Sequence, residues 1–135
     1  MAAISCKKAT MIARTPEDVD RLFGERVNAC DVEGIVALYE PGATLVTPEA
    51  GPLVGHEAIR EYLSALPAMR PQIDMGVYRV VAVSDDLAVV HHDFRLTLTG
   101  PDGSPIEIAG KATEIVRRQP DGSWRFLLDD PHMRD

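Results

Sequence analysis

The stretch VYRVVAVSDDLAVVHHDFRLTLTG, Val77 to Gly100, reads as two extended runs of alternating side chains hinged at Ser84-Asp85-Asp86. Period-two alternation marks a strand that buries one face, and a short polar cluster between two such runs turns the chain back on itself. Downstream, GPDGSP (100–105) and QPDGS (119–123) are further turn clusters. Four strands therefore follow one another as a meander from residue 71 onward.

Upstream of the meander the period changes to that of a helix. Thr15 is placed as an N-cap, with Pro16 in the first helical position and Glu17 and Asp18 favouring the helix dipole. Val19, Leu22, Phe23, Arg26, Val27 and Cys30 then recur at helical spacing, giving one mostly apolar stripe. Asp31 caps a second helix through Val32, Ile35, Val36 and Tyr39, stopped by Pro41 and Gly42. A strand is expected around Ala43–Thr47. EAGPLVGHEAIREYLSALP (49–67) follows, in which Ile59, Tyr62, Leu63 and Leu66 mark a third amphipathic helix ended by Pro67. The order α-α-β-α-β-β-β-β predicts an α+β domain, with an antiparallel sheet curling around the helices.

At 135 residues the chain fits one domain, and a chain of this size buries roughly 70% of the surface its unfolded form exposes. The net charge is -7, yet residues 1–14 carry Lys7, Lys8 and Arg14 and no acid, so the remainder holds eleven bases against twenty-one acids. So acidic a body, without a basic stripe, argues against nucleic acid as a partner and leaves small uncharged or cationic ligands open. No apolar run approaches membrane-span length. Cys6 and Cys30 make a poor disulfide framework, which points to a reducing cytoplasm. MAAISCKKATMIAR lacks the apolar core of a secretory signal. Residues 1–14 are therefore expected to form a flexible tail and residues 15–135 the single domain, and Met11 is an alternative start.

NACDVEGIVALYEPGATLVTPEAGPLVGHEAIREYL (28–63) resembles the signature of the nuclear transport factor two-like superfamily, which includes ketosteroid isomerases and SnoaL-like polyketide cyclases. GKATEIVRRQPDGSWRFLLDDP (110–131) is similar to the last hairpin of its uncharacterised bacterial members. The resemblance implies a cone: three helices on a curved, mainly antiparallel sheet, enclosing a pocket. It also implies a homodimer paired through the sheet. A ketosteroid isomerase would have an aspartate base just before the proline that follows the first strand, and that position is Thr47 here. The family's tyrosine falls on Phe23, and its second acid falls on Glu114 or, one residue earlier, Thr113. A threonine hydroxyl is no base at neutral pH, so that isomerase mechanism does not carry over.

What can still carry chemistry follows from strand alternation. Val90, His92, Phe94 and Leu96 share the more apolar face, so His92 is expected inside, as a general acid or base or as a core histidine satisfied by one hydrogen bond. On the other face His91 and Asp93, with Glu107 on the next strand, have the spacing of a partial metal site but also that of a polar patch, and no metal is expected. In the last strand Trp124, Phe126, Leu128 and Asp130 alternate together. If the two aromatics face the pocket, Asp130 lies at its edge, able to pair with His92; the alternative is that Asp129 and Asp130 end the strand in water. The candidate catalytic set is therefore His92, Asp130 and Glu114. The candidate pocket wall is Phe23, Tyr39, Thr47, Leu63, Trp124 and Phe126.

No glycine-rich phosphate loop, Ser-His-Asp arrangement or CxxC is present, and no cofactor is expected. The resulting expectation is a domain binding a small hydrophobic molecule in a mostly apolar pocket. The alternative is a cofactor-free isomerase, cyclase or dehydratase moving a proton with His92.

Overall fold

The computed structural model describes residues 11–132, and of Val77 and Tyr78 the backbone alone. Its order is α1 Pro16–Asn28, α2 Val32–Val36, β1 Tyr39–Thr47, β2 Gly51–Val54, α3 His56–Leu63, a single 3-10 turn at Pro67–Met69, β3 Gln72–Ser84, β4 Leu87–Thr99, β5 Pro105–Arg118 and β6 Trp124–Asp130. The strands form one open sheet in the order β2-β1-β6-β5-β4-β3, with β1 parallel to β6 and every other pair antiparallel. Three helices packed on one face of this mostly antiparallel sheet make the expected α+β cone.

The helix starts follow their caps. Thr15 Oγ1 accepts from the Asp18 amide at 3.2 Å, and Asp31 Oδ1 accepts from the Gly34 amide at 3.0 Å. α1 and α2 join through Cys30, which holds a left-handed φ of 57° without being glycine. The buried Arg26 guanidinium bridges the corner, donating to the carbonyls of Gly34 and Met11. Residues 11–14 are also tied down, against the expectation of a flexible tail. Ala13 is buried, its carbonyl accepts from the Trp124 amide at 2.9 Å, and the Arg14 amide donates to Asp18. The expected tail positions 1–10, Cys6 among them, lie outside the described residues.

Two elements differ from the expected order. Tyr39 opens β1 rather than closing α2, because Pro41 and Gly42 sit in an irregular stretch between the Tyr39–Phe126 and Thr44–Leu128 pairs and do not end the strand. β2 is an additional strand, four residues long and on the sheet edge, where Pro52 can be accommodated without a ladder donor.

The core lies between the helices and the inner sheet face. Val19, Leu22, Val27, Ile35, Val36, Ile59 and Leu63 pack on Tyr39, Val90, Val116 and Phe126, all buried. α1 comes close to β3 at Gly24, where a β-carbon would stand 2.8 Å from Met75 Cγ. Among the described residues no helix is long and apolar enough to cross a membrane.

Candidate functional site

Inside this apolar core sits a cluster of ionisable side chains drawn from four elements. β4 alternation turns His92 inward beside Val90, and it is 3% exposed. β5 alternation turns Glu114 to the same face, between Ala112 and Val116, while Thr113 points outward, where its hydroxyl meets His91 Nδ1 at 3.1 Å. Asp20 comes from α1, fully buried, and Asp129 from β6.

Asp129, not Asp130, faces inward because β6 carries an extra residue. Val116 pairs with Phe126 but Ile115 pairs with Leu128, so Leu127 is accommodated as a bulge and the alternation changes phase. Trp124 and Phe126 are buried before it, and Asp129 after it. Asp130 is half-buried opposite Thr113, and its Oδ1 lies 3.4 Å from the His132 amide at the final turn.

The distances are short. His92 Nε2 lies 2.8 Å from Glu114 Oε2 and 3.4 Å from Asp20 Oδ1, and its Nδ1 is 3.3 Å from the Asp93 carbonyl. Tyr39 donates its hydroxyl to Asp129 Oδ2 at 2.6 Å. As carboxylates, Asp20 accepts no hydrogen bond at either oxygen and Glu114 none at Oε1. Burial, reinforced by the Glu114 charge, pushes the Asp20 carboxyl well above its ordinary range. Burial and the Asp129 charge do the same to Glu114. Asp129 is pushed up to about 6, chiefly by burial, which the Tyr39 hydrogen bond partly offsets. Burial and the neighbouring Asp129 push the Tyr39 phenol well up as well. Fully ionised, the four-group cluster would hold three negative charges against one imidazolium, so its members must share protons or a cation. One donor atom each from Asp20, His92 and Glu114 lies within 4.8 Å of the others, a spacing that can hold a metal ion.

The other expected residues are distributed around this cluster. Phe126 packs under Tyr39 with ring centroids 4.8 Å apart and meets Phe23 edge-on at 5.9 Å. Leu63 is buried in the core from α3. Trp124 lies elsewhere, lining an open groove of about 290 Å³ with Met11, Ile12, Arg26 and Asp31. Thr47 is buried, but its hydroxyl is engaged in the β1–β2 turn, donating to the Gly51 carbonyl and accepting from the Ala50 amide, each at 3.0 Å. The outer-face trio does not assemble: Glu107 pairs opposite Thr97, six positions along β4 from His91, a separation of roughly 20 Å.

Asp20 and Asp129 are the two members that sequence reasoning missed. For Asp20 a signal existed, since it stands three residues before Phe23 and seven before Val27, in phase with the inward stripe of α1.

The sequence profile of the SnoaL-like domain matches residues 19–126, and the chain belongs to that family, within the nuclear transport factor two-like superfamily. Solved structures of similar fold include a ketosteroid isomerase-like protein from Erwinia carotovora atroseptica (20% identity, 84% of this chain and 89% of that one, TM-score 0.76). Another is a Novosphingobium aromaticivorans protein assigned as a scytalone dehydratase (14%, 84% and 78%, TM-score 0.78). A third is a type 2 hexachlorocyclohexane dehydrochlorinase (19%, 84% and 79%, TM-score 0.75). No curated protein matches the chain.

Proposed function

We propose that this chain is a small-molecule-binding SnoaL-like domain whose ligand enters the cone and sets its polar end against the Asp20–His92–Glu114–Asp129 floor. The observation that carries this reading is the cost of the floor. Three buried carboxyl groups and an imidazole occupy space that apolar side chains of similar volume would fill with equal or greater stability. Three of their oxygens accept no hydrogen bond. Half-buried Phe23, Ile73 and Leu96 pack against the core and would supply apolar wall for the ligand body. Native mass spectrometry of the purified protein, with ligand-observed NMR against a library of small oxygenated and heterocyclic compounds, tests it. Binders should be lost in His92→Gln and Asp20→Asn; binders that survive both substitutions would remove the floor from the reading.

A second reading, turnover, is favoured by the imidazole held between two carboxyl groups and by neighbours named for eliminations, a dehydratase and a dehydrochlorinase. In it a substrate C–H bond breaks, its electrons remain on the substrate, and the floor takes the proton. The proton then returns elsewhere on the molecule, as in an isomerase, or a leaving group departs, as in a dehydratase. Hydrogen–deuterium exchange into bound carbonyl compounds, followed by NMR in heavy water, separates this reading from plain binding: exchange supports turnover, and binding without exchange opposes it.

The outer sheet face supports a homodimer. Val81, Val89, Ile115 and Leu128 stand in one cross-strand row, with Val81 49% and nearby Val83 60% exposed. Light scattering of native protein and of Val81→Lys/Val83→Lys tests this pairing, which predicts a dimer that the charges dissociate.

A further inference from the structure

We propose that Asp20, His92 and Glu114 form a binding site for a divalent transition metal of the zinc type, with one coordination position left open. The inference rests on the reading above, that this floor is the functional site, and it names what occupies the floor.

Three observations carry it. First, the donor atoms are spaced for one ion. Metal bonds of about 2.0–2.2 Å to nitrogen and carboxylate oxygen put tetrahedral neighbours roughly 3.3–3.6 Å apart. His92 Nε2 stands 3.4 Å from Asp20 Oδ1 and 2.8 Å from Glu114 Oε2, and all three atoms lie within 4.8 Å of one another. An ion therefore requires the His92–Glu114 pair to open by about half an ångström, and it needs no cavity for an organic body. Second, the two carboxyl groups have no basic side chain other than His92 to compensate them. Both Asp20 oxygens and Glu114 Oε1 are buried and accept no hydrogen bond, and among the described residues no Lys or Arg side chain pairs with Asp20 or Glu114. A divalent ion compensates two carboxylates that are costly to bury unpaired. Third, the surroundings suit ligands to a metal. The Asp93 carbonyl stands 3.3 Å from His92 Nδ1 and can accept its proton when Nε2 binds an ion. Asp129 stands directly across the β5–β6 ladder from Glu114 and is itself oriented by Tyr39.

The donor set selects the metal. One imidazole and two carboxylates suit zinc, cobalt or manganese, whereas magnesium and calcium prefer all-oxygen shells. With three protein ligands, a fourth position is open to water or to an oxygen of the bound molecule.

The test uses full-length protein purified without chelators or a histidine tag, assayed by elemental analysis and then, after chelator dialysis, by calorimetry with zinc chloride and cobalt chloride. One ion per chain is expected, with a thermal midpoint rising on the order of 5–10 °C at a hundredfold excess over the dissociation constant. Magnesium should produce no comparable shift. Asp20→Asn, His92→Gln and Glu114→Gln should each weaken zinc binding at least about tenfold. Because a substitution can also damage folding, a second measurement on native protein follows the His92 ring nitrogens by NMR, where zinc should move Nε2 and leave Nδ1 protonated. No zinc binding, binding unchanged in all three variants, or an unmoved His92 Nε2 would overturn the site. If zinc is absent while small-molecule binding still depends on His92, this inference fails and the functional reading stands. If zinc binds and no small molecule depends on the floor, the functional reading fails and the metal site stands.

Discussion

β6 behaves as two strands on either side of Leu127. Before the bulge Trp124 and Phe126 alternate inward as an unbroken strand would, and both lie among apolar neighbours. After it the phase is reversed, and the inward residue is Asp129, hydrogen-bonded to Tyr39 and facing Glu114 across the ladder. One end is held by packing and the other brings charge into the core. The difference teaches that a single inserted residue can turn a strand's buried face from apolar to ionisable side chains, a re-aiming for which bulges are suited.

The largest effect should come from the packing end. Phe126→Ala removes a fully buried ring that contacts Tyr39 and Phe23, and should cost about 3–5 kcal/mol in denaturant titration. The polar end should respond with the opposite sign. Replacing the floor with apolar residues of similar volume, Asp20→Val/His92→Leu/Glu114→Met, should leave the fold intact and stabilise it by about 1–4 kcal/mol while abolishing ligand binding. A loss of stability in the combined variant would mean that the cluster serves the fold, and the contrast between the two ends would collapse.

The bulge itself is sharpened by two adjacent aspartates. Asp129→Ala strands the buried Tyr39 hydroxyl and should cost about 1–3 kcal/mol. Asp130→Ala, on the half-buried side, should stay within about 0.5 kcal/mol. Equal costs would place the phase change elsewhere in β6.

These residues also explain how far the sequence could be read. The turns at Asp85-Asp86, Asp102-Gly103 and Asp121-Gly122 are local punctuation, so the meander was legible, and with it His92 as an inward residue, whereas Glu114 followed only from the family resemblance, with Thr113 as its alternative. Asp129 was not legible, because alternation carries no mark of an extra residue that its partner strand lacks. Asp20 was legible but was passed over. A lone carboxylate in the apolar stripe of α1 gains its meaning from His92, 72 positions away in the chain. β1 was blurred for a related reason: Pro41 and Gly42 read as breakers, whereas an irregular register accommodates them.

Another small effect belongs to the carboxylate next to Tyr39 in β1. Glu40 is also buried in β1, but the Arg117 guanidinium clasps it with two bonds of 2.7 Å and the Gln119 amide adds one at 2.8 Å. The Arg117 hydrogen bonds hold the Glu40 carboxyl below its usual range despite that burial, the reverse of what happens to Asp129. A carboxylate depressed on folding contributes stability above its unfolded value and loses it as pH falls through the folded value. Because the Arg117 side chain is 45% exposed, screening keeps that contribution small, and Glu40→Gln should cost about 0.5–1 kcal/mol at neutral pH. The gap between native and Glu40→Gln proteins should close as the solution is acidified below the carboxylate range, as measured by parallel urea titrations. A gap that persists there would assign the cost to lost packing, and the arginine-paired Glu40 would no longer be the simple counterpart of Asp129.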